Sequence, residues 1–379
     1  MNVHNSYLEI DLAILRSNVE KIRKGIGPKV DIIAVVKGNA YGMGITQIGK
    51  YLDEHCGIET FGVAAACEAI KLRDAGIKKD ILVMGGVPYH NIAAIVEQDL
   101  QSAAYDMVYL ERLNEEAKKA GKTAIVHIKI ETGLNRIGVH PGEQLHALCE
   151  FLKELSNVKV VGIFTHFYQS EILDKTATYE QFEKFKRGLS QARGYGFEFK
   201  YVHVSNSGAS TWLFDDEITH IRPGVLLYGI DENMDERGNL KNAFGLSYVL
   251  SWRAYITYVK TVPAGETVGY SGAYKVMKPT DVATISMGYG DGYLRSLGSS
   301  GKGVMLVNGK RAPVIGICMD QMFLDVSGID AKIGNVVTVI GTDGDESVTV
   351  IDLQEQMGQS YLAVLSIISG RVFKVYRGL

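Results

Sequence analysis

Short apolar runs alternate with helix-patterned segments along roughly the first 230 residues of the chain. The runs are DIIAVVK (31–37), FGVAA (61–65), ILVMG (81–85), SAAYD (102–106), IVHIKI (125–130), VVGIFTH (160–166), YVHVS (201–205) and HIRPG (220–224). Continuous apolar character predicts strands covered on both faces, as in a parallel sheet. Between them, segments such as ACEAIKLRDAG and LERLNEEAKKAG place apolar residues at three- and four-residue steps and end on glycine, as C-capped helices do. Eight such strands, each trailed by a helix or short connection, predict a (β/α)8 barrel of the TIM type. A doubly wound sheet is the alternative.

The pattern then changes. DENMDERGNLKN (231–242) is a polar stretch that reads as a linker. After it come YVLSWRAYITYVKTV, VATISMGYG, KGVMLVNGKRAPVIGI, MFLDVS and NVVTVIGTDGDESVTVI, with hairpin-type turns at Asn308-Gly309 and Asp343-Gly344. No amphipathic helix of useful length is expected before about residue 350, so a second, mostly β domain follows. The expected boundaries are 12–235 for the barrel and 236–379 for the β domain, with the early run YLEID (7–11) joining the latter.

Composition narrows the class. A chain of 379 residues with a net charge of −3 and no basic tract gives no reason to expect nucleic acid or a membrane surface as partner. Cys56, Cys67, Cys149 and Cys318 form no CxxC pair, which fits a reducing compartment and no structural metal. MNVHNSYLEIDL lacks the charged and apolar regions of a signal peptide, and no stretch reaches membrane-spanning length. A soluble, cytoplasmic protein is the expectation.

In a (β/α)8 barrel the chemistry sits at the C-terminal ends of the strands. Those ends carry Lys37, His166, Ser207 just after the seventh strand, and Arg222-Pro223-Gly224 after the eighth. SNSGAS (205–210) and RPGV (222–225) are small and hydroxyl-bearing, suited to the phosphate site such barrels build after their last two strands. A phosphate there and a lysine across the mouth make the pairing that pyridoxal phosphate needs.

The motifs AVVKGNAYGMG, KIETGLNRIG, THF, SNS, IRPG, VGYSGAY, MGYGDGY and ICMDQ occur in that order. Together they resemble the motif set of the bacterial alanine racemases over essentially the whole chain. The resemblance implies a barrel plus a C-terminal β domain, pyridoxal 5'-phosphate as cofactor, and a homodimer with shared active sites. It also implies interconversion of L- and D-alanine, supplying D-alanine for peptidoglycan. By the same resemblance Lys37 holds the cofactor and acts as one base, and Tyr270 is the second base, from the other subunit. A phenol's ordinary pKa near ~10 must be lowered for that task.

Further roles follow from the resemblance alone. Tyr41, Ser207, Gly224 and Val225 match the phosphate set, and Tyr361 is the candidate for a C-terminal tyrosine that touches it. His166 and Arg222 match cofactor contacts, with Arg222 facing the pyridine nitrogen. Arginine is no proton donor at ordinary pH, so that nitrogen would stay unprotonated. Arg136 matches the residue that orients the substrate carboxylate. Lys129 matches a lysine that is carbamylated in many members. Met319 and Asp320 match substrate contacts given by the partner subunit, and Tyr289 an entrance tyrosine.

Three positions depart from the family pattern. Gly38 and Met43 replace an alanine and a histidine, Glu131 makes ETG of DTG, and Tyr361-Leu362 is shifted by one residue. The last raises a serine or broad-specificity racemase as an alternative. A pyridoxal phosphate-dependent decarboxylase shares the architecture, but sets a carboxylate where Arg222 stands. A metal-dependent amidohydrolase could use Lys129, His166 and His203 as ligands, yet would want HxH at the first strand. A cofactor carrier without catalysis would have no use for the second domain.

Overall fold

The computed structural model describes residues 4–233, 241–358, 360–368 and 370–378, so 234–240 of the expected linker lie outside the described residues. The chain divides into two compact units. One comprises Ile14–Ala40 and Ile45–Tyr248; the other comprises Met1–Ala13, Tyr41–Gly44 and Val249–Leu379. The first strand, β1 (Ser6–Asp11), belongs to the second of these.

The larger unit is a parallel barrel. Its strands are β2 (Asp31–Val35), β3 (Thr60–Val63), β4 (Asp80–Val83), β5 (Gln101–Ala104), β6 (Ala124–Lys129), β7 (Val158–Phe164), β8 (Tyr201–His203) and β9 (His220–Ile221). They pair in sequence order from β2 to β8, and β9 returns to pair with β2. A doubly wound sheet would reverse strand order at its middle; this one does not. The remaining seam is bridged by Thr219 N–H to Val202 O at 3.0 Å and Arg222 N–H to Ser205 O at 2.9 Å. Eight parallel strands therefore form a nearly closed barrel.

Local sequence explains the helices around it. Met107–Lys119 starts on Asp106, whose carboxylate accepts the Tyr109 N–H at 2.7 Å, and ends on Lys118 and Lys119. Its buried Tyr109, Leu110, Leu113 and Ala117 follow the helical period. Inside the barrel, His127, Phe164 and His203 fill the core, Phe164 stacking on His203 with centroids 4.8 Å apart. Gly162 makes room for them: a Cβ there would stand 2.2 Å from His127 Nδ1.

The smaller unit is built on a nine-stranded, mostly antiparallel sheet. Its spine is β10 (Leu250–Val262), which pairs antiparallel with β1, with Thr280–Ile285 and with Val336–Asp343. Strand β1 is also covered by the parallel C-terminal strand Phe373–Arg377. Along β10 buried and half-buried residues alternate until a register shift between Ile256 and Tyr258. Val262, Val268, Val276, Val282 and Ile315 form a separate core cluster, under the short hairpin of Thr267–Val268 and Tyr274–Lys275.

Candidate active site

Strand β2 ends at Val35 rather than at the expected lysine, and Lys37 opens a turn. The four residues after it are left-handed: Gly38 (φ 62°), Asn39 (φ 56°), Ala40 (φ 55°) and Tyr41 (φ 52°). Three of them carry a Cβ, and each costs roughly 1–2 kcal/mol in this region. Hydrogen bonds to three neighbouring segments hold the turn. Ala40 N–H donates to Val36 O at 2.8 Å, Ile45 N–H to Asn39 Oδ1 at 3.0 Å, and Gly38 N–H to Glu68 Oε1 at 2.5 Å.

Arg222 follows β9 and is 3% exposed. Its Nη1 donates to His203 O at 2.6 Å and stands 3.1 Å from His203 Nδ1. Its Nη2 donates to Thr165 O at 2.7 Å and Val204 O at 3.0 Å, with His166 Nδ1 at 3.4 Å. The polar chain continues into the barrel. His203 Nε2 lies 2.9 Å from His127 Nδ1, and His127 Nε2 lies 2.7 Å from Gln101 Oε1. Since the guanidinium and the Gln101 carbonyl fix the two ends, each imidazole is neutral and protonated on Nε2. Burial, then His220, Arg222 and Lys200, pushes the His127 pKa down to about 3. For His203, burial and Arg222 act in the same direction.

Four basic side chains gather at the mouth. Burial and then Arg136 pull the Arg222 pKa down to about 9, which still leaves it charged at neutral pH. Lys37 is lowered by burial, Arg136 and Arg222, against Glu232 and Glu68. Lys129, 3% exposed, is lowered further, by burial and by Arg222 and Arg136, against Glu131. Its Nζ sits 4.6 Å over the Phe164 ring. His166 is held neutral by burial and by all four cations. None of Lys37, Lys129, Arg136 and Arg222 makes an ion pair with a described carboxylate. Such a group has room for a bound anion.

Beside the cations, Ser207 Oγ accepts the Gly224 N–H at 2.9 Å, with the Leu226 N–H at 3.5 Å, while Val225 begins the next short turn. Ser207, Gly224 and Val225 thus bring a hydroxyl and backbone amides together at the strand ends, as an anionic phosphate requires. The donor set fits a phosphorylated cofactor. It does not fit a metal: His166 and His203 both turn Nδ1 toward the Arg222 guanidinium. Among the described residues no group of three or more His, Cys, Asp or Glu could hold a metal ion.

The other expected residues, Tyr41 included, lie in the β unit. Tyr270 is 74% exposed at the tip of its hairpin, between left-handed Gly269 and Ser271. That loop lies against the strand leading to Met319, a Cβ at Gly269 falling 3.9 Å from Gly316 Cα. Tyr289 N–H donates to Cys318 O at 3.1 Å and Gly290 N–H to Met319 O at 2.9 Å, so MGYGDGY and ICMDQ form one surface. Arg371 braces it, binding both Asp291 oxygens at 2.8 and 2.9 Å and Asp320 at 2.7 Å. Tyr361 is 7% exposed and Leu362 38%, so the tyrosine turns into the unit and the leucine out of it. Met43 is buried and its carbonyl accepts from Tyr376 Oη at 2.8 Å.

Two family models together span nearly all of these elements. The alanine racemase N-terminal domain matches residues 10–232, and the alanine racemase C-terminal domain matches residues 249–376. The chain belongs to the alanine racemase family. The alanine racemase of Clostridium perfringens is 38% identical over 98% of this chain and 95% of its own. The solved alanine racemase of Clostridium difficile superposes with a TM-score of 0.91 at 30% identity, over 100% of this chain and 97% of that one. A histidine racemase from Leuconostoc mesenteroides superposes with a TM-score of 0.88 at 26% identity, over 100% and 99%. The shared architecture of the alanine racemases is the barrel and β unit described above.

Several residues that shape the site escaped sequence reasoning. In the sequence His203 reads only as a candidate metal ligand, whereas it receives Arg222 and passes the contact to His127. Gln101, Asn39, Glu68 and Arg371 were not singled out. Strand alternation places His127 and Lys129 on one face of β6, and it could have found His203 in the same way, since Tyr201 and His203 share a face of β8. Glu68 carries the signature of a glutamate at the third position of a helix.

Proposed function

We propose that the protein is a racemase that interconverts L- and D-alanine on bound pyridoxal 5'-phosphate. The observation that carries this reading is the cluster of Lys37, Lys129, Arg136 and Arg222, none of them in a salt bridge with a described carboxylate, next to Ser207 and its amides. A phosphorylated cofactor and a substrate carboxylate would supply the missing negative charge. Bound there, the cofactor withdraws electrons and acidifies the α C–H of an attached amino acid. Lys37 would hold it, Tyr41, Ser207, Gly224, Val225 and the Tyr361 region would serve its phosphate, and His166 and Arg222 would be its other contacts.

The remaining chemistry belongs to the chain. Lys37 Nζ, with its basicity lowered by burial and Arg136, has a larger uncharged fraction and can take a proton from the α carbon. Tyr270 Oη, contributed by the partner subunit, serves the opposite face. An exposed tyrosine on a short, backbone-constrained hairpin suits reaching into a second protomer, and Met319 is 53% exposed on the same unit. Arg222 stays protonated and offers the ring nitrogen no proton to take. Arg136 orients the carboxylate, with Met319, Asp320 and Tyr289 shaping the entrance. Lys129 is the carbamylated lysine: its uncharged amine attacks carbon dioxide, loses a proton, and becomes the anion beside Arg136.

A homodimer in the cytoplasm, supplying D-alanine for cell-wall synthesis, follows from this reading. Among the described residues no helix is long and apolar enough to cross a membrane. A second reading, a racemase of serine or a larger amino acid, is favoured by one observation: Leu362, not Tyr361, faces outward. The test is α-proton exchange in deuterated buffer with L-alanine, L-serine and L-histidine, followed by chiral chromatography. Deuterated D-alanine forming fastest supports the first reading and another D-amino acid the second. No exchange on any of them, despite bound cofactor, overturns both.

A further inference from the structure

The turn that carries Lys37 is an improbable backbone, with Asn39, Ala40 and Tyr41 all left-handed in succession. L-residues adopt that region singly and seldom in a run, so something must over-determine it. Two of the hydrogen bonds that hold it come from its own neighbours in sequence: Ala40 to Val36, and Ile45 to the Asn39 side chain. Another comes from a different βα unit. Gly38 N–H donates to Glu68 Oε1 at 2.5 Å.

The other oxygen of Glu68 is also engaged. Oε2 accepts the N–H of Ala64 at 2.9 Å and of Ala65 at 3.3 Å, at the start of the helix Ala66–Asp74. Ala65 stands at the N-cap in extended conformation (φ −137°, ψ 154°) and has no side-chain acceptor, so Glu68 is the helix's side-chain cap. One carboxylate therefore joins the ends of β2 and β3, through charge-assisted bonds stronger than neutral ones.

We propose that Glu68 is a positioning residue for Lys37, tying the left-handed turn to the neighbouring helix so that the lysine amine is held at the barrel mouth. This rests on the reading of Lys37 as the cofactor lysine. The carboxylate acts on charge as well as on shape. Arg136, Arg222, His166, Glu232 and Glu68 are the charged and titratable groups around Lys37. Arg136 and Arg222 make its amine less basic, and Glu232 and Glu68 oppose them. Removing Glu68 thus frees the turn and also lets the cations dominate.

The test uses the holoenzyme and three variants, Glu68→Ala, Glu68→Gln and the double variant Ala65→Ser/Glu68→Ala. Readouts are the dissociation constant of pyridoxal phosphate, the pH midpoint of its visible absorbance, and the thermal midpoint. Glu68→Ala should weaken cofactor binding by about tenfold and move the absorbance midpoint to lower pH. Glu68→Gln, which keeps one acceptor oxygen but no charge, should recover part of the affinity and show the same downward shift. The serine in the double variant restores a helix cap but cannot reach Gly38. It should recover the thermal midpoint and leave affinity and absorbance midpoint impaired. If it restores all three, Glu68 is only a cap and the proposal falls; so it does if Glu68→Ala changes neither cofactor readout. Lys37→Ala is the separate control. Native-like covalent cofactor binding by that variant would sink the reading of Lys37 itself, whatever Glu68 does.

Discussion

The two ends of the barrel are built from similar residues and solve opposite problems. At the N-terminal end, charges and hydroxyls are matched. Tyr201 Oη donates to Asp80 Oδ2 at 2.5 Å, Lys200 lies 3.5 Å from the same oxygen, and His220 Nδ1 meets Thr219 Oγ1 at 2.8 Å. At the C-terminal end burial and the neighbouring guanidinium groups lower the proton affinity of Arg222, Lys129 and Lys37, and none of these makes a salt bridge with a described carboxylate. A buried cation without an anion is costly unless a ligand completes it. Satisfied polar groups at one end therefore read as stability, and unsatisfied ones at the other as function.

The sharpest way to break this contrast is to remove the reacting group. Lys37→Ala should lower kcat by about 10³-fold or more, as loss of a positioned base and covalent anchor requires, with little change in the thermal midpoint of the cofactor-free protein. Racemisation followed by chiral chromatography, with absorbance of bound cofactor, measures both. An active Lys37→Ala variant would place the chemistry elsewhere.

Arg222→Lys comes next, because it keeps the charge and removes the fork. The carbonyls of Thr165, His203 and Val204 would lose their donor inside the barrel. We expect a loss of about 3 kcal/mol in stability and about 10²-fold in kcat. Urea unfolding of the cofactor-free protein separates the two. A variant that unfolds like the parent would mean that Arg222 serves the ligand alone.

Much of this was readable from periodicity. All eight barrel strands fall within a few residues of the apolar runs, because a strand covered on both faces must be apolar throughout. The β-rich second unit was readable from its change to alternation. Contacts between distant segments were not. Nothing local in YVHVS says that His203 receives Arg222, and nothing in KGNAY says that its backbone turns left-handed. Asn39 and Ala40 have no sequence mark of strain, and the carboxylate that holds them lies about 30 residues away. Motif matching reached Lys37, His166, Ser207 and Arg222 because they carry the chemistry; it passed over Gln101, His127 and Glu68 because they act through others.

A separate effect on stability should come from pH. His127 has its pKa pushed down to about 3 and His220 to about 4, with His166 and His203 also well below the ordinary value. The unfolded chain binds protons at these imidazoles below about pH 6.5, and the folded chain refuses them until the pH is much lower. Their contribution is thus fully present above about 6.5 and is lost as pH falls through the window toward 4 and 3. For a fully buried imidazole the slope is about 1.4 kcal/mol per pH unit. Urea unfolding across that window should show it, with His127→Gln flattening the curve more than His220→Asn, since His220 is half-buried. The reverse order would make the N-terminal end, not the core chain, the acid-sensitive element.

The smallest expected effect is the one that tests the contrast most directly. Asp80→Asn keeps a hydrogen-bond acceptor for Tyr201 and removes the charge that Lys200 approaches. Lys200 is well exposed, so its share is slight, and we expect about 1 kcal/mol of lost stability with kcat and KM within about twofold of the parent. Tyr201 also lies against His127, with ring centroids 5.0 Å apart, and His127 leads through His203 to Arg222. If Asp80→Asn lowers kcat by about tenfold, the matched end is transmitting its state to the cationic end along that chain. The two ends would then form one device, and the division between a stabilising and a reacting face would have to be given up.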